Sequence, residues 1–171
     1  MEPCEYELVR VCDESIPFRV HVDFLSQDLS TGRVGVVVGE EGDSEDDLSR
    51  ITIFENLTLS FENLEDVPFR GLLTKERNFS SRGIVVKSNS QDVFVNATRL
   101  GILIHVTRVE GQPLVVNVTL NREENVQPLP LCGLCGNAAS KLVYRNSNKT
   151  ADINNPDQVR TFIQTWKVLK S

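Results

Sequence analysis

Residues 113–120 read Pro-Leu-Val-Val-Asn-Val-Thr-Leu, and this stretch indicates the fold class of the chain. Every second residue from Leu114 to Leu120 is apolar, so these side chains share one face of an extended backbone. Asn117 and Thr119 fall on the opposite face. Such alternation is typical of a β-strand that buries one face, and it predicts that the Asn117 side chain points away from the core.

The same alternation recurs upstream, between turn signals. Pro17 separates two alternating runs, and Arg82-Gly83 is one of several turn signals that recur roughly every eight to twelve residues. The sequence therefore predicts an all-β fold, an antiparallel β-sandwich-like domain with a short C-terminal helix. Strands are predicted at residues 5–11, 18–24, 32–38, 50–54, 57–61, 84–87, 92–96, 100–109 and 113–120.

A helical pattern lies near the C-terminus. The i, i+3, i+4, i+7 spacing of a short helix is shared by Val159, Phe162, Ile163 and Trp166. We expect Asp157 to cap the N-terminus of this helix and Trp166 to pack in the core. The length suits a single domain over residues 1–171. Its predicted parts are a β core (4–136), a polar loop region (137–157) and a closing helix (158–168).

Composition and charge exclude several classes of protein. The chain has 171 residues, 40% of them hydrophobic, and a formal net charge of −6. Negative charge argues against non-specific binding of nucleic acid or anionic membranes, since both require a basic surface. No apolar run approaches the roughly 18 residues of a membrane span. The first residues lack the basic and apolar regions of a signal peptide, so a secreted protein is expected to be represented by a fragment.

Five N-glycosylation acceptor sites indicate secretion. The N-x-Ser/Thr pattern begins at Asn56, Asn78, Asn96, Asn117 and Asn148. With 13 Asn and 23 Ser plus Thr in 171 positions, composition alone would give roughly two such sites. Asn96 and Asn117 are out of phase with the apolar residues of their strands, so both are expected to face solvent. The excess of acceptor sites therefore predicts a secreted, extracellular glycoprotein.

Residues 39–47 form an acidic stretch with six carboxylates in nine residues. Carboxylates bind calcium, but the D-x-D-x-D-G spacing of an EF-hand is absent here. We therefore interpret this stretch as a solvated loop.

The four cysteines stand in two pairs far apart in the chain, Cys4 and Cys12 near the start and Cys132 and Cys135 near the end. This placement suits disulfides that join distant parts of a secreted domain. Four thiolates also suggest zinc, but zinc ribbons use two short knuckles, and the spacing from Cys4 to Cys12 is too wide for one. Disulfides are therefore favoured.

The sequence Cys132-Gly133-Leu134-Cys135 has three interpretations. A thioredoxin-like redox site needs the motif at the start of a helix, and no βαβ pattern surrounds it here. A zinc knuckle lacks a partner pair. A double staple, in which each Cys bonds to a different distant Cys, fits the end of a strand best, because glycine lets the backbone turn sharply.

Three segments resemble the von Willebrand factor type D domain. Residues 132–137 (Cys-Gly-Leu-Cys-Gly-Asn) look like the hallmark of this family. Residues 4–12 are similar to its C-x-Y-x-L strand and the following Cys, and residues 162–168 to its closing F-x-x-S-W-K-V, with Thr165 in place of Ser. The resemblance covers nearly the whole chain but lacks the family's opening G-D-P-H-Y strand. Such domains occur in gel-forming mucins, zonadhesin, tectorins, the IgG Fc-binding protein and vitellogenins.

The resemblance implies a set of disulfides. Cys12 would bond to Cys132, Cys4 to a Cys beyond the W-K-V segment, and Cys135 to a Cys upstream of Cys4. The sequence contains neither of the outside partners, so Cys4 and Cys135 are expected to be unpaired or bonded to each other.

The resemblance also implies calcium binding beside Cys135, through Asn and Asp oxygens. Asn137 matches the family's ligand pattern and Asp152 matches its later Asp, whereas Ala139 stands where an acidic or amide ligand is expected. The expected calcium site therefore lacks one of its ligands, and no other cofactor is indicated.

No catalytic motif accompanies these features. G-x-S-x-G, H-E-x-x-H and Gly-rich phosphate loops are absent, and His21 and His105 alternate within predicted strands. We therefore expect not an enzyme but an extracellular module for adhesion or for disulfide-linked matrix or multimer assembly. Its expected partners are other extracellular proteins or further modules of the parent chain, in disulfide-linked or calcium-dependent multimers. The alternatives are thiol-disulfide exchange through Cys132 and Cys135 during assembly, and an accessory role in a vitellogenin-like lipid carrier.

Overall fold

Alternating β-branched and aromatic residues build most of the secondary structure in the computed structural model. It describes residues 5–13, 15–24, 31–64, 68–120, 131–132, 142–143, 149–152 and 154–165. The strands are β1 (Glu5–Val11), β2 (Phe18–Phe24), β3 (Thr31–Val38), β4 (Ser49–Ile53), β5 (Leu59–Glu62), β6 (Phe69–Gly71), β7 (Arg77–Phe79), β8 (Ile84–Ser88), β9 (Asp92–Ala97), β10 (Ile102–Thr107), β11 (Val115–Leu120), β12 (Leu131–Cys132), β13 (Leu142–Val143) and β14 (Thr150–Ala151). A single turn of 3-10 helix covers Glu45–Asp47, and one α-helix, α1, covers Pro156–Thr165.

The strands form two large antiparallel sheets. The seven-stranded sheet has the order β12-β1-β2-β3-β4-β5-β6, and the five-stranded sheet has the order β11-β10-β9-β8-β7. A small third sheet pairs β13 with β14. Within each large sheet, strands that are consecutive in the chain are neighbours, except that β12 returns to pair with β1. Such meanders follow from the short turns that the sequence predicts.

The main core lies between the inner faces of the two large sheets. In β10, Ile102, Ile104 and Val106 are each 0% exposed, while the residues between them are half-buried. They share one cluster with residues of the other sheet such as Val20 and Ile53. Burial of a large apolar side chain contributes about 1.5–3 kcal/mol, so this cluster holds the sheets together. The prediction of an all-β, antiparallel sandwich-like fold with a short C-terminal helix is confirmed.

Strands β6 and β7 were not among the predicted strands, because three residues are too few to show a period. Aromatic packing defines their place instead. The ring of Phe61 stacks on that of Phe69 in β6 at 5.2 Å between centroids. The same ring meets Phe79 of β7 edge-on, also at 5.2 Å. Since Phe61 belongs to the seven-stranded sheet and Phe79 to the five-stranded one, this trio joins the sheets at one side.

Helix α1 begins two residues before its predicted start, and the prediction that Asp157 caps it is wrong. The cap is Asn155, whose Oδ1 accepts hydrogen bonds from the backbone N of Asp157 (3.2 Å) and of Gln158 (3.3 Å). Pro156 then occupies the first helical position, where its missing N–H costs no hydrogen bond. Phe162 is buried against Ala151 of β14, next to Cys132. Trp166 lies outside the described residues.

The acidic stretch forms a loop that is linked to the five-stranded sheet by two arginine–carboxylate contacts, and we call this connection the clasp. Most of its carboxylates are exposed, as predicted for a solvated loop. Two arginines of the five-stranded sheet nevertheless reach it: Arg82 Nη1 donates to Asp43 Oδ2 at 2.7 Å, and Arg99 Nη1 donates to Glu40 Oε1 at 3.2 Å. A backbone hydrogen bond from Glu40, and then Arg82, hold the pKa of Asp43 below its ordinary value. These acidic residues thus have a structural role between the sheets.

Candidate functional site: the disulfide and the glycan-acceptor face

The disulfide lies at one edge of the seven-stranded sheet, where it joins the edge strand β12 to its neighbour β1. Strand β12 pairs antiparallel with β1, with Arg10 opposite Cys132 and Val11 opposite Leu131. This register brings Cys132 beside Cys12, which directly follows β1, and the two are bonded with 5.2 Å between their Cα atoms. It is the pair that the family resemblance implies.

The bond joins residues that are 120 positions apart in the chain. By the chain-entropy estimate, closing a loop of that length lowers the entropy of the unfolded chain enough to contribute about 5 kcal/mol. Because both sulfurs are engaged in the bond, neither serves as a thiolate ligand for zinc. The other two cysteines, Cys4 and Cys135, lie outside the described residues.

Four of the five glycan-acceptor asparagines lie in the described part of the chain, and all four are exposed. Asn56 is in the turn between β4 and β5, Asn78 in β7, Asn96 in β9 and Asn117 in β11. On either side of Asn117, Val116 and Val118 pack against the core, so its side chain has the predicted outward orientation. Asn148 lies outside the described residues.

Three of these asparagines share the outer face of the five-stranded sheet, which we call the glycan-acceptor face. The register places Val85 of β8 opposite both Asn78 and Asn96. It also places Asn117 opposite His105 of β10. Because neighbouring strands are about 4.8 Å apart, Asn78 and Asn96 are roughly 10 Å apart across the sheet. Glycans at these positions would cover much of this face.

A polar cluster lies on the same face. His105 Nε2 is 2.7 Å from Asp92 Oδ1 and 2.8 Å from Thr107 Oγ1, and Thr107 Oγ1 donates to Asp92 Oδ1 at 3.0 Å. The ring of His105 stacks on Phe94 at 4.4 Å with 9° between the ring planes. The hydrogen bond from His105 holds the pKa of Asp92 below its ordinary value. All four side chains are only partly buried.

The cluster does not have the geometry of a nucleophilic relay. In a Ser-His-Asp relay, the hydroxyl and the carboxylate contact opposite nitrogens of the imidazole ring. Here Thr107 and Asp92 both contact Nε2 of His105. The arrangement therefore fixes the ring and the carboxylate in place but does not activate the Thr107 hydroxyl. The alternation in the sequence places His105 within a strand but does not indicate its partners, although Asp92 and Phe94 also alternate with core residues.

The described residues contribute little to the expected calcium site. Asp152 is exposed, and its Oδ1 accepts a hydrogen bond from the backbone N of Asn154 at 2.9 Å, as in a turn. Asn137, the other expected ligand, lies outside the described residues. Within the described ranges, no three His, Cys, Asp or Glu side chains are grouped so that they could hold a metal ion.

Comparison with family models and curated proteins identifies no relative of this chain. No family model matches the chain, and no curated protein matches it. Among the described residues, no helix is both long and apolar enough to cross a membrane. The von Willebrand factor type D resemblance therefore remains a prediction from the three sequence segments that carry it.

Proposed function

We propose that this chain is an extracellular structural and interaction module of the von Willebrand factor type D kind, which contributes to adhesion or to disulfide-linked assembly. The observation that carries the proposal is the Cys12–Cys132 bond. Disulfides form and persist in oxidising compartments and are rare in the cytosol, so a bond that ties β1 to β12 favours a secreted protein.

The exposure of the acceptor asparagines gives independent support. A glycan requires solvent around its asparagine, and all four described acceptor sites meet that requirement. Three of them lie on one face of one sheet, so their glycans would make that face unsuitable for close protein contact. Partners, whether other extracellular proteins or further modules of the parent chain, would then bind elsewhere on the surface.

Thiol-disulfide exchange is the competing proposal for the same cysteines. Exchange requires an accessible thiolate that attacks a disulfide. Cys132 is half-buried, and its sulfur is bonded to Cys12. We therefore rank exchange second, as a process in which Cys135 or an incoming thiol would attack this bond.

The proposal is tested by expressing the chain with an added signal peptide in a secreting cell. Non-reducing peptide mapping should find the Cys12–Cys132 link, and mass spectrometry should find glycans on the exposed acceptor sites. Asn96→Gln is the matched variant, since it should remove one glycan and leave the disulfide unchanged. Secreted protein with all five sites bare, or with free thiols at Cys12 and Cys132, would contradict the proposal.

Thiol alkylation separates the two proposals. The structural module predicts slow alkylation of Cys132 at neutral pH, because its sulfur is held in the bond. An exchange site predicts rapid alkylation of Cys132, because attack of a thiolate on the Cys12–Cys132 bond would release one of its sulfurs as a thiolate. Rapid modification would therefore move exchange to first place.

A further inference from the structure

A groove with three arginines lies where both large sheets contribute to the surface, and the proposed function gives it no role. Its volume is about 580 Å³. That volume is within the roughly 300–1,000 Å³ typical of ligand pockets. We call it the arginine groove. The residues that matter for its chemistry are Asp23, Arg33, Phe54, Glu55, Arg70 and Arg108.

One of the three arginines is neutralised by a neighbouring carboxylate. Arg33 Nε donates to Asp23 Oδ2 at 2.6 Å, and Arg33 Nη2 contacts the same oxygen. This pair joins β3 to β2 across the register, where the two residues are directly opposite. Both contacts use Oδ2 of Asp23.

Arg70 is held by an aromatic ring and has no carboxylate partner among the described residues. Its guanidinium carbon lies 5.0 Å from the centroid of the Phe54 ring. Such a cation–π contact fixes the plane of the guanidinium but leaves its N–H donors unused. Arg70 is exposed, so these donors are accessible from the groove.

Arg108 supplies a second guanidinium without an ion-pair partner in the described part of the chain. Its backbone is fixed, because its N–H donates to the carbonyl of Gln91 at 2.8 Å. Its side chain is exposed and lines the groove from the segment after β10. Arg70 and Arg108 thus line one groove, each without an ion-pair partner among the described residues, in a chain of net charge −6.

The lining indicates the kind of ligand. A guanidinium donates two parallel hydrogen bonds to a carboxylate or to a tetrahedral oxyanion, so Arg70 and Arg108 suit an anionic group. Asp23 and Glu55 would repel a densely acidic peptide, yet they are good acceptors for hydroxyl groups. A ligand that carries one anionic group among several hydroxyls satisfies both requirements. We propose that the arginine groove binds an acidic sugar, a saccharide unit that bears a carboxylate or a sulfate.

Such a sugar has two sources, an external glycan or the chain's own glycan on Asn56. Asn56 lines the groove, and its Oδ1 accepts hydrogen bonds from the backbone N (3.1 Å) and the hydroxyl (2.6 Å) of Thr58. These bonds fix the amide and leave Nδ2, the atom that carries a glycan, outside them. A glycan on Asn56 would therefore start at the edge of the groove.

Titration calorimetry on the purified, disulfide-bonded chain tests the proposal. The probes are a disaccharide containing glucuronic acid, a sulfated disaccharide and a neutral disaccharide. We expect an acidic probe to bind and the neutral one not to bind, with affinity that falls as salt is added. Arg70→Gln combined with Arg108→Gln should weaken binding at least about ten-fold, because charge-assisted hydrogen bonds are lost. Both side chains are exposed, so thermal unfolding should show a folded variant.

Arg160→Gln is the matched control, since Arg160 is an exposed arginine on α1 that does not line the groove. Equal weakening by Arg160→Gln, or no weakening by the double variant, would overturn the proposal. Failure of both acidic probes to bind at millimolar concentration would do the same. Tighter binding of a glutamate-rich peptide than of either acidic probe would replace the sugar with an acidic protein segment.

The source of the sugar is decided with Asn56→Gln protein from a secreting cell. Higher affinity for the acidic probe after this substitution assigns the groove to the chain's own glycan, and unchanged affinity assigns it to an external one. The probes are added to purified protein, so a failure here leaves the proposed extracellular role untested and unchanged. Conversely, bare acceptor sites would contradict that role without affecting the binding assay.

Discussion

The two large sheets share a core but differ on their outer faces. On the seven-stranded sheet, Glu7, His21 and Val37 alternate with core residues and are still only 3%, 5% and 2% exposed. On the five-stranded sheet, His105 and Phe94 occupy the corresponding outward positions and are half-buried, and the three acceptor asparagines are exposed. The outer face of β1 to β3 is therefore partly covered, with Arg33 of β3 still exposed, whereas the outer face of the five-stranded sheet is open at all three asparagines.

This difference matches the places of the acceptor asparagines and of the disulfide. Among the four acceptor asparagines that the structure describes, those within strands all lie on the five-stranded sheet, and Asn56 lies in a turn beside the other sheet. The disulfide belongs to the seven-stranded sheet, where β12 and β1 meet. The two histidines show the same difference between the sheets. His21 and His105 both alternate with apolar residues in the sequence, but His21 is buried and His105 is half-buried in the fold.

The largest expected effect comes from removing the disulfide between β1 and β12. Cys12→Ser together with Cys132→Ser should lower the free energy of unfolding by up to about 5 kcal/mol, because the unfolded chain regains the entropy of a 120-residue loop. Urea denaturation measures this loss. Hydrogen exchange should show faster opening of β1 and β12 than of β9 and β10. A loss below about 1 kcal/mol would mean that β12 is held mainly by packing.

Neighbouring residues within one strand test the two faces directly. In β10, Ile104→Ala should cost about 2–5 kcal/mol and Leu103→Ala roughly 1 kcal/mol, because only Ile104 is fully buried. In β3, Val36→Ala and Val37→Ala should cost similar amounts, about 2 kcal/mol each, because both are buried. Chemical denaturation of the four variants gives the comparison. Equal losses in β10, or unequal losses in β3, would contradict the difference between the faces.

A smaller effect is expected at the clasp between the sheets. Gly83 has φ +65°, and a Cβ there would lie 2.6 Å from Arg99 Cγ. Gly83→Ala should therefore cost about 1–2 kcal/mol for the backbone, plus the cost of displacing Arg99 from Glu40. Gly111→Ala is the control, since Gly111 has φ +74° but a Cβ added there would meet no atom within 4 Å. Thermal unfolding of both variants isolates the Arg99 contribution, and equal losses would show that Arg99 adjusts freely.

The smallest expected effect is the acid response of the glycan-acceptor face. The hydrogen bond from His105 lowers the pKa of Asp92 below 3.8. A carboxyl whose pKa is lower in the folded state stabilises the protein above its unfolded pKa, and this stabilisation is lost as pH falls through the folded pKa. Asp92→Asn should flatten the decline in unfolding free energy between about pH 5 and pH 2. His105→Gln should flatten it partly, and an unchanged decline in both variants would contradict the assignment.

Much of the fold followed from local pattern. Pro17 separates β1 and β2 as predicted, and the alternation around Asn117 correctly gave both the strand and its outward side chain. The helix was also found, but its cap was assigned to Asp157 instead of Asn155, because both residues have capping side chains and only the backbone path selects one. Strands of two or three residues escaped prediction because no period fits in them.

The candidate sites depended on more distant contacts. The cysteine pairing came from a family resemblance and not from spacing alone, since four cysteines allow several pairings. The arginine groove had no sequence signal, because Arg33, Arg70 and Arg108 come from three separate segments. The clasp likewise joins Arg99 to Glu40, which are 59 positions apart.

The sequence by itself determined that this chain is built of strands, which residues of the longer strands point inward, and where its N-x-Ser/Thr asparagines and its two pairs of cysteines stand. The reason is that side-chain alternation is a property of the extended backbone, so it is visible within a few residues. Only the tertiary structure decided which strands are also buried on their outer face, and it brings together the Cys12–Cys132 pair that the family resemblance implies. It also decided that Arg70 and Arg108 reach one groove. These features depend on contacts between segments that are distant in the chain, and a local sequence pattern does not indicate which segments make contact.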